Sequence, residues 1–192
     1  MNEKIIWDFL LQKTGNAYGT AAIMGNLMAE SSLNPRCVTG IKDPDYVEKA
    51  DNDENNFAHD GHAFGLVEWC YHTRKGGLLA YAKQTGRSVG HLQMQLEYLV
   101  KEMSQDYKSV WNAVCTAKNI RSASDVVMLK YEKPSGTSEA AKKKRAEQQD
   151  QEIKEGFAGG VVVKEGSRNV INEAFRVFRT NLEFMSKDKD EN

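Results

Sequence analysis

The chain has 192 residues, 40% hydrophobic and 28% charged, a balance that belongs to a folded globular protein and excludes a disordered one. A formal net charge of -1 excludes a protein that grips nucleic acid through bulk positive charge. No apolar run approaches the roughly 20 residues that span a bilayer.

The opening stretch MNEKIIWDFLLQK places Ile5, Ile6, Phe9 and Leu10 at helical spacing and predicts a first helix, stopped by Gly15 and Asn16. It lacks the continuous apolar core and small-residue cleavage site of a signal peptide, so synthesis in the cytoplasm is expected. The three cysteines, Cys37, Cys70 and Cys115, fit that compartment as buried free thiols. The next segment, AYGTAAIMGNLMAESSLNP, is apolar on most faces, with Ile23, Met24, Leu27 and Met28 close together and Ala21, Ala22, Gly25 and Ala29 small enough for close neighbours. A helix of that kind belongs in the middle of a domain, and Pro35 marks its end.

From Cys37 to Trp69 the helical period disappears. DPDYVEKADNDENN is acidic and turn-forming, and FAHDGHAFGLVEW sets glycines either side of a short apolar stretch, so loop and hairpin structure is expected there. Helical patterns then return in series. Leu78, Leu79, Tyr81 and Ala82 run up to a stop at Gly86, and Ser88 offers a cap for a helix striped by Leu92, Leu96, Leu99 and Met103. Val110, Trp111 and Val114 suggest another helix, as do Ala123, Val126, Val127 and Leu129. Pro134 and Gly136 break the chain before a polar helix that starts at Ser138 and runs to Phe157. Its KKKR run, Lys142 to Arg145, reads as a solvated face. Gly159 and Gly160 look like a joint, which divides the chain into a main domain, 1–157, and a linker with an amphipathic helical tail, 158–192. On that tail Phe175, Phe178, Leu182 and Met185 share a face that needs a partner, from the main domain or from a second copy.

Chemistry gathers at Glu30. It sits in the last turn of the apolar helix, where desolvation and the negative end of the helix dipole both disfavour the carboxylate. A carboxylic acid still protonated near neutral pH can protonate the leaving oxygen of a glycoside. The plainer reading is that Glu30 pairs with Arg36 or caps a loop amide. HDGH, with His59 and His62 and with His72 nearby, looks like part of a metal site, but no second ligand cluster completes a tetrahedral set. The histidines therefore read as polar cleft lining, and no metal or other cofactor is expected.

AAIMGNLMAESSLNP, followed by GHAFGLVEW and then by LLAYAKQTGRSVGHLQMQLEYL, resembles the phage tail lysozyme family, which is similar to goose-type lysozymes and lytic transglycosylases. The resemblance covers residues 1–157. It implies a mainly α, lysozyme-like α+β domain with a central apolar helix and a small β-hairpin. It implies peptidoglycan as substrate, cut at the β-1,4 bond between N-acetylmuramic acid and N-acetylglucosamine, with Glu30 as general acid followed by Ser31 in the substrate cleft. Asp60 stands where goose-type enzymes place an Asp that helps to position water. Glu68 stands where the family commonly shows Gln, which leaves both sugar binding and acid–base work open to it. The glycine-led hairpin would form the cleft floor, with His62, Phe64, Gly65, Trp69 and Tyr71 as its sugar-facing residues, although Phe64 and Trp69 suit a core equally well. Hydrolysis is the leading expectation. The alternatives are a lytic transglycosylase, which can work with a single Glu, and a wall-binding tail module without turnover. Without a signal peptide, the protein would reach the wall in a phage particle or by another secretion route.

The tail resembles something else. VVVKEGSRNVINEAFRVFRTNLEFM is similar to the start of the cytoplasmic kinase domain of bacterial polysaccharide-export tyrosine kinases, through Glu173, Ala174, Arg176, Arg179, Thr180 and Asn181. The chain holds no G-x-x-x-x-G-K-[ST] loop, so kinase activity is not implied. Self-association through the C-terminal helix is the partner expectation that follows from this segment.

Overall fold

A helix that is apolar almost all round must be packed on every side, and the helix from Ala17 to Ser31 is. The computed structural model describes residues 2–132. Among them, in chain order, lie α1 (Asn2–Thr14), α2 (Ala17–Ser31), α3 (Tyr46–Asn52), α4 (Glu54–His59), α5 (His72–Thr85), α6 (Leu92–Gln105), α7 (Lys108–Cys115) and α8 (Ile120–Val126), closed by a π-helical turn, Val127–Glu132. Helices α1, α7, α8 and the π-helical turn all pack against α2. The approach of α7 is so close that a Cβ on Gly19 would fall 1.9 Å from the Val114 carbonyl oxygen. Asn16 caps α2 by accepting from the Gly19 amide, and its own amide donates to the carbonyls of Cys115, at 3.3 Å, and Ala117, at 2.9 Å. Buried Asn26 donates to the Ala22 carbonyl and to both oxygens of Ser124, which ties α2 to α8.

The central helix lies where the sequence puts it, but its end is set by Ser32 and Leu33, with φ of 53° and 60°, before Pro35 is reached. The Ser32 amide donates to the Leu27 and Met28 carbonyls, closing the last turn. Helix α5 stops at Gly86 as expected, whereas α6 is capped by His91 rather than Ser88, since the His91 ring nitrogen accepts the Met94 amide at 3.3 Å.

Two expectations need correction. The acidic stretch forms two short helices, α3 and α4, rather than loop. Tyr46, Val47, Ala50 and Phe57 supply their buried face, and Asp53 caps α4 through the Asn56 amide. Each helix is about two turns long, too short for a period to show among so many charges. The β-hairpin is absent: no strand occurs among the described residues. Phe64 and Trp69 exchange backbone hydrogen bonds of 3.1 and 2.9 Å, and Phe64 also forms an isolated bridge with Val38. Between them the chain bends through Gly65, with φ of 79°, and Glu68, with φ of 50°, leaving no extended run along which a ladder could grow.

Buried Gln95 of α6 clamps this bend. Its side-chain oxygen accepts the Leu66 amide, and its nitrogen donates to the carbonyls of Pro35, at 2.7 Å, and Val89, at 2.6 Å. A Cβ on Gly65 would fall 2.8 Å from that oxygen, on a backbone already left-handed. Gly65→Ala is therefore expected to cost about 1–3 kcal/mol. Urea denaturation checks this, and an unchanged midpoint would show that the bend tolerates a side chain.

The cysteines are free thiols, but none is fully buried as expected: Cys70 is exposed, and Cys37 and Cys115 are half-buried. No helix among the described residues is long and apolar enough to cross a membrane. The polar helix from Ser138, the diglycine joint, the boundary after residue 157 and the amphipathic tail all lie outside the described residues.

Candidate active site

Glu30 is half-buried at the open end of α2, and its carboxyl meets two others, Glu68 from the bend and Glu132 from the π-helical turn, through side-chain hydrogen bonds. Burial first, then the Glu68 charge, push the Glu30 carboxyl from 4.5 up to about 7, while the hydrogen bond from Glu132 pulls it partly back. Glu132 is itself pushed well above the carboxylate range, by burial and then by the Glu30 charge. Carboxyls raised in this way hold their protons to higher pH than free ones, which is the condition for proton donation.

Each partner is held from behind. Glu68 sits on a left-handed backbone, uncommon for a residue with a side chain, and its Oε1 accepts from the Thr39 hydroxyl and lies 3.9 Å from the Cys37 thiol. Next to it, Trp69 donates its indole N–H to Glu102 at 3.0 Å. Next to Glu132, the Tyr131 hydroxyl donates to the same carboxylate at 2.5 Å. Arg74 of α5 completes the set with bonds of 2.7 and 2.8 Å to the two oxygens of Glu102, its guanidinium 4.6 Å from the centre of the Tyr131 ring. Burial would raise the Glu102 carboxyl, but Arg74, Tyr131 and Trp69 outweigh it and hold it below the ordinary range. One buried carboxylate on α6 therefore fixes the neighbours of both residues that face Glu30.

Asp60 lies in a different environment. Its Oδ2 accepts from the Tyr46 hydroxyl at 2.6 Å, and its Oδ1 accepts from Lys75 Nζ at 2.5 Å and from the His62 amide at 2.9 Å. Lys75 is fully buried and spends its three donors on Asp60, the Tyr46 hydroxyl and the His62 carbonyl, with its ammonium 4.3 Å from the centre of the Phe57 ring. Burial raises the Asp60 carboxyl, yet these bonds win and leave it below its usual value. The carboxyls acting on Glu30 are Glu68 and Glu132, not Asp60.

The expected sugar contacts divide sharply. Ser31 is buried and donates to the carbonyls of Leu27 and Leu66, pinning the end of α2 to the bend. Phe64 and Trp69 are fully buried, Phe64 against Tyr46 and Phe57 and Trp69 against Tyr98, and Gly65 is covered by Gln95. These four therefore support the bend from inside the core instead of offering a surface to sugar. His62 is half-buried and Tyr71 is exposed. His59 and His72 stack on each other at 5.4 Å, and among the described residues no group of His, Cys, Asp or Glu is arranged to hold a metal ion.

The sequence reading passed over Glu132, Glu102, Arg74 and Lys75. Glu132 carried the same sign as Glu30, an acidic residue closing an apolar helical run, here VVMLKYE. The others had no visible sign, because charged residues inside helical patterns read as exposed.

The family model for phage tail lysozymes matches residues 1–153, which takes in every described residue. Comparison with curated proteins and with solved structures found no match. The segment that resembles the start of a tyrosine kinase domain lies beyond the matched residues. With about four-fifths of its length matched, the chain belongs to the phage tail lysozyme family, whose role is lysozyme-like degradation of peptidoglycan.

Proposed function

We propose that this protein cuts the β-1,4 bond between N-acetylmuramic acid and N-acetylglucosamine in peptidoglycan, with Glu30 as the general acid. The observation that carries this is the Glu30 carboxyl itself, half-buried and pushed up to about 7 beside the negatively charged Glu68. It gives its proton to the glycosidic oxygen as the bond from C1 to that oxygen breaks, and the positive charge developing at C1 faces a site rich in carboxyls. On this reading exposed Tyr71 and half-buried His62, on either side of the bend, supply the sugar contacts, which their accessibility supports. On this reading the enzyme works on the wall as a component of a phage tail.

The bonding of Asp60 favours one outcome over the other. An inverting hydrolase holds its two carboxyls roughly 6.5–9.5 Å apart with water between them. Here Glu68 touches Glu30, while Asp60 is neutralised by Lys75. That arrangement suits a reaction with one working acid. After donating its proton, Glu30 takes one from the C6 hydroxyl of the muramic acid as that oxygen bonds to C1. The products are an anhydro end and a free N-acetylglucosamine end, with Glu30 protonated again. Hydrolysis, the first expectation from the sequence, would instead leave reducing ends.

Mass spectrometry of fragments released from purified peptidoglycan decides the matter. Fragments lighter by one water at the muramic acid end support the single-acid route, and reducing ends return Asp60 or Glu68 to the role of base. No fragments at all, from a folded protein, would mean a wall-binding module without turnover.

A further inference from the structure

We propose that Glu132 is a positioning residue for Glu30: from the end of the π-helical turn it donates a hydrogen bond that steadies Glu30 once its proton has gone to the glycosidic oxygen. This rests on the reading of Glu30 as the general acid. The contact is built by three separate constraints. Asn26 and Ser124 lock α8 to α2, so the turn that follows α8 must run along the helix that ends in Glu30. Tyr131, buried and bonded to Glu102, fixes the residue directly before Glu132. The widened turn, Val127–Glu132, departs from α-helical geometry at this one place among the described residues, and such departures are frequent at functional sites.

The chemistry explains why a third carboxyl is useful. Before reaction, Glu30 holds its proton in a hydrogen bond with Glu68. Once Glu30 has given that proton away, two carboxylates face each other in a half-buried site, and their repulsion opposes the transfer. A protonated Glu132 donating to Glu30 offsets that repulsion. Burial, followed by the Glu30 charge, pushes the Glu132 carboxyl well above its usual value, which favours the acid form that can donate. The other groups facing this cluster do not replace it. The Cys37 thiol is pushed up by burial and then by the Glu68 charge, so it stays neutral, and Arg74 is committed to both oxygens of Glu102 while acting on Glu132 only through its charge.

The test is the dependence of peptidoglycan clearing on pH for the whole protein, with Glu132→Ala and Glu132→Gln compared to wild type. A hydrogen bond to a charged group is worth about one pH unit here. Glu132→Ala should therefore move the alkaline limb up by about that much and lower kcat by about tenfold. Glu132→Gln keeps an N–H donor and should bring both back towards wild type, a rescue that a merely structural role does not predict. An Ala variant with an unmoved or lowered limb, or a folded Gln variant no better than Ala, overturns the proposal. If Glu132→Ala fails to fold, Glu132→Leu fills the same space, and carbon-13 titration of the Glu30 carboxyl should show the same upward shift or else refute the idea. Glu30→Gln separates the two claims: full activity there defeats the reading of Glu30, whereas loss of activity there with an unmoved Glu132→Ala limb defeats the role of Glu132 alone.

Discussion

Glu30→Gln is expected to lower glycan cutting by about 10²–10⁴-fold while the fold persists. The amide keeps the shape of the side chain and a donor towards Glu68, but it has no proton to give. In the wild type, activity should fall as pH rises through about 7, where the Glu30 carboxyl loses that proton. The same titration has a consequence for stability, with a definite sign. A carboxyl raised by burial binds its proton more tightly folded than unfolded, so the fold is weakened as pH rises from the unfolded value towards 7, and the penalty persists above it. Glu30→Gln removes that penalty and should melt at a higher temperature than wild type at about pH 8. A variant that is both inactive and more stable identifies a lost proton donor and rules out damage to the fold. Wild-type clearing by the variant would remove Glu30 from the acid role.

Glu30 was legible in the sequence because the cause of its raised pKa is local: an apolar helix ending in an acid carries both the burial and the position. The same rule applied to VVMLKYE would have found Glu132, but the chain around it gave no motif to draw the eye. The bend at 64–69 was legible as a special place and not as a shape. Glycine among apolar residues announces a tight turn, yet only the dihedral angles of Gly65 and Glu68 show that the turn closes too sharply for strands. Asp60 was read from its place in HDGH, and its partner Lys75 could not be read at all. A lysine with no exposed surface is rare enough that pattern alone always places it in solvent. The same holds for Glu102, whose partners Trp69, Arg74 and Tyr131 come together only in three dimensions.

The Asp60–Lys75 pair supplies the other large effect. Lys75→Met is expected to cost about 3–5 kcal/mol, because it strands Asp60 and the Tyr46 hydroxyl in a largely water-free site without their cation. Asp60→Asn should also destabilise, since it leaves the buried ammonium facing a neutral amide. The double variant, Asp60→Asn with Lys75→Met, should be less damaged than the sum of the two, and that surplus measures the pair directly. Acidity gives an independent check. Hydrogen bonds from Lys75, Tyr46 and the His62 amide outweigh burial and hold the Asp60 carboxyl below its unfolded value, so its contribution is complete above that value and disappears as pH falls through the lower folded one. Urea midpoints at about pH 7 and pH 3 should therefore converge between wild type and Asp60→Asn on the acid side. Turnover per folded molecule decides what the pair is for. If Asp60→Asn loses stability but keeps cutting glycan at a comparable rate, Asp60 is an anchor that holds Tyr46 and the residues leading into the bend. Lost turnover with stability intact would instead make Asp60 the base that places water, and the single-acid route would fall with that result.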